Sequence, residues 1–409
     1  MKKTILIIFL FIIVTFQLSA QWEIVNTQFQ NIWLYDVHMI SNTVAWAVGY
    51  PGTIIKTTDG GATWFPQASG TTNTLWGVSF VNENFGTAVG DAGIILNTTD
   101  GGAHWNLQSS GTTKNFEKVH FSDLNNGTAV GYDSLVIRTT NGGSTWNIQI
   151  TGVPLEYDFY DVFFTNANNG IILCNNGTFL KTSNGGTNWS INSTGSFTRL
   201  LGVDFFNTDI GYMVAEGGSI FKTSDGGNFW ISQISGTTSG LFSVACPNLN
   251  YGTVVGTIGK ILNTTDGGLN WIPQISNTTK PLYSVSFSDS LNGIAVGEEG
   301  IILRTINGGV TSNENAKNNF VVKEFNLGQN YPNPFNPSTK IRYSIPEYSF
   351  VTLKVFNLLG EEIETLVNGE QSAGVYDATF DATSLSSGIY FYTLKTDNAS
   401  FAKKMLLVR

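Results

Sequence analysis

From Trp22 to about residue 310, short apolar runs alternate with polar turns at a fixed interval. Within one interval, residues Leu75–Phe80, Thr87–Gly90, Gly93–Thr98 and His104–Gln108 are four strand-like runs separated by polar and glycine-rich turns. That pattern predicts four short β-strands joined by tight turns. A turn of Asp or Asn followed by Gly-Gly recurs at Asp59, Asp100, Asn141, Asn184, Asp225, Asp266 and Asn307, at spacings of 41, 41, 43, 41, 41 and 41 residues. Four strands in about 41 residues, repeated, predict the blades of a β-propeller.

Aligned on the turn, each column has its own chemistry. Threonine stands two before it in all seven repeats, from Thr57 to Thr305, and tryptophan five after it in six, from Trp64 to Trp271. Twenty before it lie Met39, Phe80, Phe121, Phe164, Phe205, Cys246 and Phe287; twenty-two before it is always valine; twenty-four before it are mostly aromatics, among them Tyr35, Trp76, Tyr160, Phe242 and Tyr283. Spacing of two is expected to put all three columns on one face of the inner strand, filling the gap between blades. Ten before the turn, Gly49, Gly90, Gly131, Cys174, Ala215, Gly256 and Gly297 demand a small side chain, which implies close backbone approach. The seventh turn lacks its tryptophan, since Ser312 fills that slot, but Trp22 stands 42 residues before Trp64. The expected fold is therefore all-β: a seven-bladed propeller whose last blade is closed by the N-terminal strand, leaving no unpaired edge.

Composition narrows the function. Only 12% of residues are charged, and 45 of 409 are glycine, which fits closely spaced strands and turns. A net charge of −9 supplies no basic face for phosphates, so nucleic acid is not an expected partner. Three histidines, two cysteines and no ligand spacing argue against a metal centre, and no cofactor is expected. Cys174 and Cys246 fall in different columns two blades apart, which predicts two buried free thiols.

The two ends carry other signals. Residues 1–20 read as a signal peptide: Lys2 and Lys3, a run of twelve apolar residues over 5–16, and a small-residue cleavage point between Ala20 and Gln21. The run is short for a membrane span, and no later stretch is long and apolar enough for one. Periodicity ends near residue 310. A polar linker over 311–323 leads to residues 324–409, where six alternating runs from Lys340 to Val408 predict a small immunoglobulin-like β-sandwich.

The turn Thr57-Thr58-Asp59-Gly60-Gly61-Ala62-Thr63-Trp64 resembles the Asp-box. Its physics is local: the Asp or Asn side chain accepts hydrogen bonds from its own turn, and glycine supplies positive φ. Asp59, Asp100, Asn141, Asn184, Asp225, Asp266 and Asn307 are thus expected to be structural turn residues. The whole unit, with its Ala-Val-Gly and Thr-Thr-Asp-Gly-Gly runs, resembles the propeller of the photosystem II assembly and stability factor family. That resemblance implies a partner protein held through basic residues. The matching column here, three before the turn, holds Lys56, Arg138, Lys181, Lys222 and Arg304, with asparagine in the other two repeats.

At the C-terminus, Gln329-Asn330-Tyr331-Pro332-Asn333-Pro334-Phe335-Asn336-Pro337-Ser338-Thr339, Ser387-Gly388-Ile389-Tyr390 and Lys403-Lys404-Met405 resemble the type IX secretion C-terminal sorting domain. This implies type IX machinery as a partner, and export to the cell surface or beyond. A sialidase-like hydrolase is the competing class, but the propeller has only Arg138, Arg199 and Arg304 to clamp a carboxylate. His38 and His120 occupy a polar inner-strand column and are expected to be satisfied structural residues rather than ligands. The reading is a secreted, monomeric, non-catalytic binding propeller for an unknown surface protein or glycan. A photosystem-assembly-like chaperone is the other alternative, and it conflicts with an extracellular address.

Overall fold

The computed structural model describes residues 21–25, 28–29, 32–154, 156–309, 325–345, 349–371, 374–396 and 399–409. The signal-peptide expectation, including Ala20, and the linker lie outside the described residues. The chain divides into two units, Met1–Val310 and Thr311–Arg409.

The first unit is built of seven four-stranded antiparallel sheets, each innermost strand followed in order by its neighbours. Blade 1 is Trp33–Met39, Ala45–Tyr50, Thr53–Thr57 and Phe65–Gln67. Blade 7 takes three strands from the end of the unit, Leu282–Phe287, Gly293–Gly297 and Ile302–Thr305, and its fourth, Glu23–Ile24, from the start. Glu23 pairs with Arg304 and Ile24 with Leu303. Trp22 is 1% exposed and lies edge-on to Phe287, with ring centroids 5.8 Å apart. A Cβ on Gly309 would come 2.8 Å from its indole nitrogen, so Trp22 fills the place beside the seventh turn that the other blades fill from within.

The valine column and the column two residues after it pack between blades. Trp46 of blade 1 stacks on Phe80 of blade 2 at 3.6 Å, among Val48, Leu75 and Val78. The aromatic column does not join them, which corrects the expectation from spacing. Every inner strand carries a β-bulge immediately before its acidic, basic or small residue, between Leu34 and Asp36 in blade 1 and at the equivalent place in the other six. One extra residue flips the alternation. Leu34, Leu75, Phe116, Phe159, Leu200, Leu241 and Leu282 become the fully buried members, at 0% exposure. The neighbouring aromatics are turned out of the core. The small column faces this bulge: a Cβ on Gly49 would lie 1.7 Å from the Trp33 carbonyl oxygen.

The second unit is a sandwich of two antiparallel sheets. One holds Asn326–Leu327, Ser338–Ile345 and Gly374–Asp381; the other Glu362–Gln371, Ser349–Phe356, Gly388–Lys395 and Ser400–Leu407. Alternate residues such as Ile341, Tyr343, Val351, Leu353, Tyr392 and Met405 meet between them. Among the described residues no helix is long and apolar enough to cross a membrane.

Candidate functional site

The seven inner strands surround a channel of about 560 Å³ lined by the residues that alternate with the valines. An inner strand is also a sheet edge, and its outward N–H groups need acceptors. The preceding blade supplies them at all seven junctions. Asp36 Oδ2 accepts from Val78 N at 2.9 Å, Ser79 Oγ from Phe121 N at 3.1 Å, and His120 Nδ1 from Phe164 N at 3.3 Å. Asp161 Oδ2 accepts from Val203 N at 2.8 Å, Asp204 Oδ2 from Cys246 N at 2.7 Å, and Ser243 Oγ from Val285 N at 3.3 Å. Ser284 and Ser286 close the circle on Val37 N and Met39 N.

This explains why the channel is polar. His38, which takes Phe80 N at 3.4 Å, and His120 are held neutral. Burial pulls both below the ordinary histidine range, His120 to about 3 with His38 adding to the effect. Burial also lifts Asp161 to about 7, against the attraction of Lys118 and two backbone N–H groups. Lys118 Nζ sits 2.7 Å from Asp36 Oδ1. Burial works against its charge, but Asp36 and Asp161 hold it above the usual lysine value. Cys174 and Cys246 are buried and free. Cys246 lies 3.3 Å from Asp204, and burial raises its thiol well above the usual value.

The residues that the bulge turns out sit where the inner strand begins, at the rim opposite the Asp-box turns. In blade order they are Tyr35, Trp76, Glu117, Tyr160, Leu201, Phe242 and Tyr283. Four of them touch in an arc: Tyr35 to Trp76 at 4.0 Å, Tyr35 to Tyr283 at 5.4 Å, and Tyr283 to Phe242 at 5.8 Å. Trp33, 40% exposed, extends the arc with its ring 6.1 Å from Tyr35. Trp76 donates its indole N–H to Asp91 at 2.8 Å. Burial, then Tyr283, Asp91, Glu117 and Glu298, push the Tyr35 hydroxyl up to about 12. The repeat carried this column in plain view, but alternation alone assigned it to the core. A bulge leaves no mark in a hydrophobic count, and the faint signal was an unbroken apolar pair such as Leu34-Tyr35 or Leu75-Trp76.

The Asp-box turns lie at the other rim. In the first, Thr57 Oγ1 donates to Asp59 Oδ1 at 2.8 Å and accepts from Gly61 N, while Asp59 Oδ1 also takes Thr63 N at 2.9 Å. Asn141 makes the same bonds with Thr139 and Thr145. Asp100, Asn184, Asp225, Asp266 and Asn307 each accept from the threonine two residues earlier.

Four of the five basic residues of this column reach into the next blade here. Lys56 Nζ donates to Gly101 O at 3.0 Å in the turn of blade 2, and Lys222 Nζ reaches Gly267 O in blade 6. Lys181 reaches Asn228 in blade 5. Arg138, 6% exposed, donates to Ala167 O at 2.6 Å in blade 4, with its guanidinium 5.0 Å from the Phe164 ring. Arg304 pairs with Glu23 of the closing strand at 3.3 Å.

A family model described as photosynthesis system II assembly factor YCF48 matches residues 14–105, 68–151 and 147–235, together more than half of the chain. One described as a secretion system C-terminal sorting domain matches residues 329–408. No curated protein matches the chain. Among solved structures, the chain resembles a YCF48 bound to D1 peptide, at 22% identity and TM-score 0.60 over 71% of this chain and 99% of that one. YCF48 from Cyanidioschyzon merolae gives 22% and 0.59 over 69% and 98%. The GH74 enzyme of Niastella koreensis gives 13% and 0.56 over 77% and 58%. At these identities the likeness speaks for the fold. The two family matches speak for descent and destination: the chain belongs to the photosynthesis system II assembly factor YCF48 family and ends in a sorting domain for type IX secretion to the cell surface or extracellular space.

Proposed function

We propose that this is a secreted, non-catalytic binding propeller, carried out of the cell by residues 324–409 and meeting its ligand at the aromatic mouth of the channel. The observation that carries the reading is the bulge in all seven inner strands, which spends core register to present Tyr35, Trp76, Phe242 and Tyr283 outward. Aromatic rings in such a ring-shaped rim bring large contact area at low entropic cost. The channel's own acids and histidines are committed to backbone N–H groups of the next blade, which suits them to holding blades together rather than to moving protons. A family relative of the same fold is seen bound to a peptide, which favours a protein segment as ligand.

The Asp-box rim is the second surface a partner could use. Docking through Lys56, Arg138, Lys181, Lys222 and Arg304 would require their head groups to leave the contacts they already make. A hydrolase reading is favoured by one feature, the carboxylates of Asp91 and Glu117 beside the aromatic rim. Incubating the secreted chain with extracted surface glycans separates the readings. No release of reducing ends is expected; release that disappears in Glu117→Gln or Asp91→Asn would establish the hydrolase instead.

A further inference from the structure

The mouth is acidic as well as aromatic. Three of its basic residues are already neutralised on the same rim, Lys114 by Asp133 at 3.5 Å, Arg199 by Glu216 and Lys280 by Glu299 at 2.9 Å. Asp91, Glu117, Asp158 and Glu298 have no basic partner among the described ion pairs. Lys260 of blade 6 likewise has no carboxylate partner among the described ion pairs. Asp91 accepts the indole N–H of Trp76 at 2.8 Å, Glu117 stands in the aromatic column of blade 3, and, behind burial, Glu298 helps to raise the Tyr35 hydroxyl and Asp158 that of Tyr160.

Glu117 occupies the aromatic column itself in blade 3. Its Oε1 is sequestered and has no hydrogen-bond partner among the described residues. A buried carboxylate oxygen without a donor is costly. Aromatic faces and carboxylates together attract one class of group, an ammonium or guanidinium.

Resting on the binding-propeller reading, we propose that the mouth is a receptor for a basic peptide segment. A lysine or arginine side chain lies over the exposed faces of the Tyr35, Trp76 and Tyr283 arc and offers its N–H groups to Glu117, with Asp91 and Glu298 drawing flanking positive residues. The arc runs from Trp76 of blade 2 through blades 1 and 7 to Phe242 of blade 6, room for more than one cationic residue, which favours a peptide over a small ammonium compound. The long-range field assists encounter, because the propeller as a whole carries twice as many acidic as basic residues.

The test uses the full secreted chain and a fluorescent peptide of repeated Arg-Gly, with a repeated Glu-Gly peptide and cello-oligosaccharides as the other probes. Titration is expected to show saturable binding of the Arg-Gly peptide alone. Trp76→Leu and Glu117→Gln should each weaken it by about tenfold, with unchanged thermal midpoints. Glu364→Gln, an equal change of charge on an exposed strand of the sandwich, should leave it intact. Equal weakening by Glu364→Gln would reduce the binding to diffuse attraction and overturn the proposal. Binding of the oligosaccharides and not of the Arg-Gly peptide would also overturn it, while leaving the binding-propeller reading in place. Only cleavage of the oligosaccharides would remove that reading as well.

Discussion

Lys118 of blade 3 and Asp36 of blade 1 meet across the intervening blade, Nζ to Oδ1 at 2.7 Å. They can do so because blade 2 has Gly77 in that column, where a Cβ would already stand 2.9 Å from the Lys118 Cα. Asp36 Oδ1 also accepts from Ser284 of blade 7 at 2.7 Å, so one carboxylate ties four blades when its bond to Val78 N is included. Removing the cation leaves this buried carboxylate uncompensated. Lys118→Met is therefore expected to cost about 3 kcal/mol, with much of it recovered in the double variant with Asp36→Asn. Chemical denaturation followed by tryptophan fluorescence reads the propeller alone, since all ten tryptophans precede residue 272.

Closure by the N-terminal strand gives a second expectation. Trp22→Ala removes a fully buried indole and should cost about 3 kcal/mol. Deleting residues 21–25 should cost more, because it also exposes the Ile302–Thr305 edge that Glu23 and Ile24 now cover. Equal stability with and without that strand, in the same denaturation experiment, would contradict a closed ring.

Asp161 makes a prediction about pH. Its carboxyl is raised to about 7 in the folded chain, so between about pH 4 and 7 the folded state holds a proton that the unfolded state has released. Stability from this group is complete below pH 4 and is lost as pH rises through that window. The wild type should therefore lose stability relative to Asp161→Asn from pH 4 to 7, by at most about 1.4 kcal/mol per pH unit, and the difference should level off above 7. The neutral histidines act in the opposite direction, losing stability as pH falls below their unfolded value, but they are common to both proteins and cancel. A difference that grows in the wild type's favour as pH rises would refute the assignment.

Much of the propeller was legible from spacing. The seven turns, the offset Trp22 and the small column opposite each inner strand all follow from counting residues, because blades repeat the same contacts with their neighbours. The site was not legible in the same way. Tyr35 and Trp76 alternate correctly with Val37 and Val78, and a bulge that shifts register by one residue lies in backbone geometry that period-two reasoning takes as uniform. The polar column around His38 and Asp204 was visible, but its purpose depends on which N–H groups of the next blade stand unpaired, a relation across about 42 residues that no local pattern encodes.

The sorting domain carries its own expectation. Residues 325–409 hold a separate apolar core, with Leu353, Phe380, Tyr392 and Met405 fully buried. Removing residues 324–409 should leave a folded propeller inside the outer membrane, as read by fractionation and by protection from external protease. Equal appearance outside the cell with and without these residues would refute their role as the address.

The most direct measurement of where this propeller binds is site-specific photocrosslinking in the full chain at the cell surface. A benzoylphenylalanine placed at Tyr35 sits in the aromatic mouth, one at Leu107 on the exposed outer strand of blade 2, and one at Lys181 in the basic column. The account predicts a discrete adduct from position 35, competed by the Arg-Gly peptide, and none from position 107 or 181. An adduct from position 181 with none from position 35 would contradict it and move the binding face to the Asp-box rim.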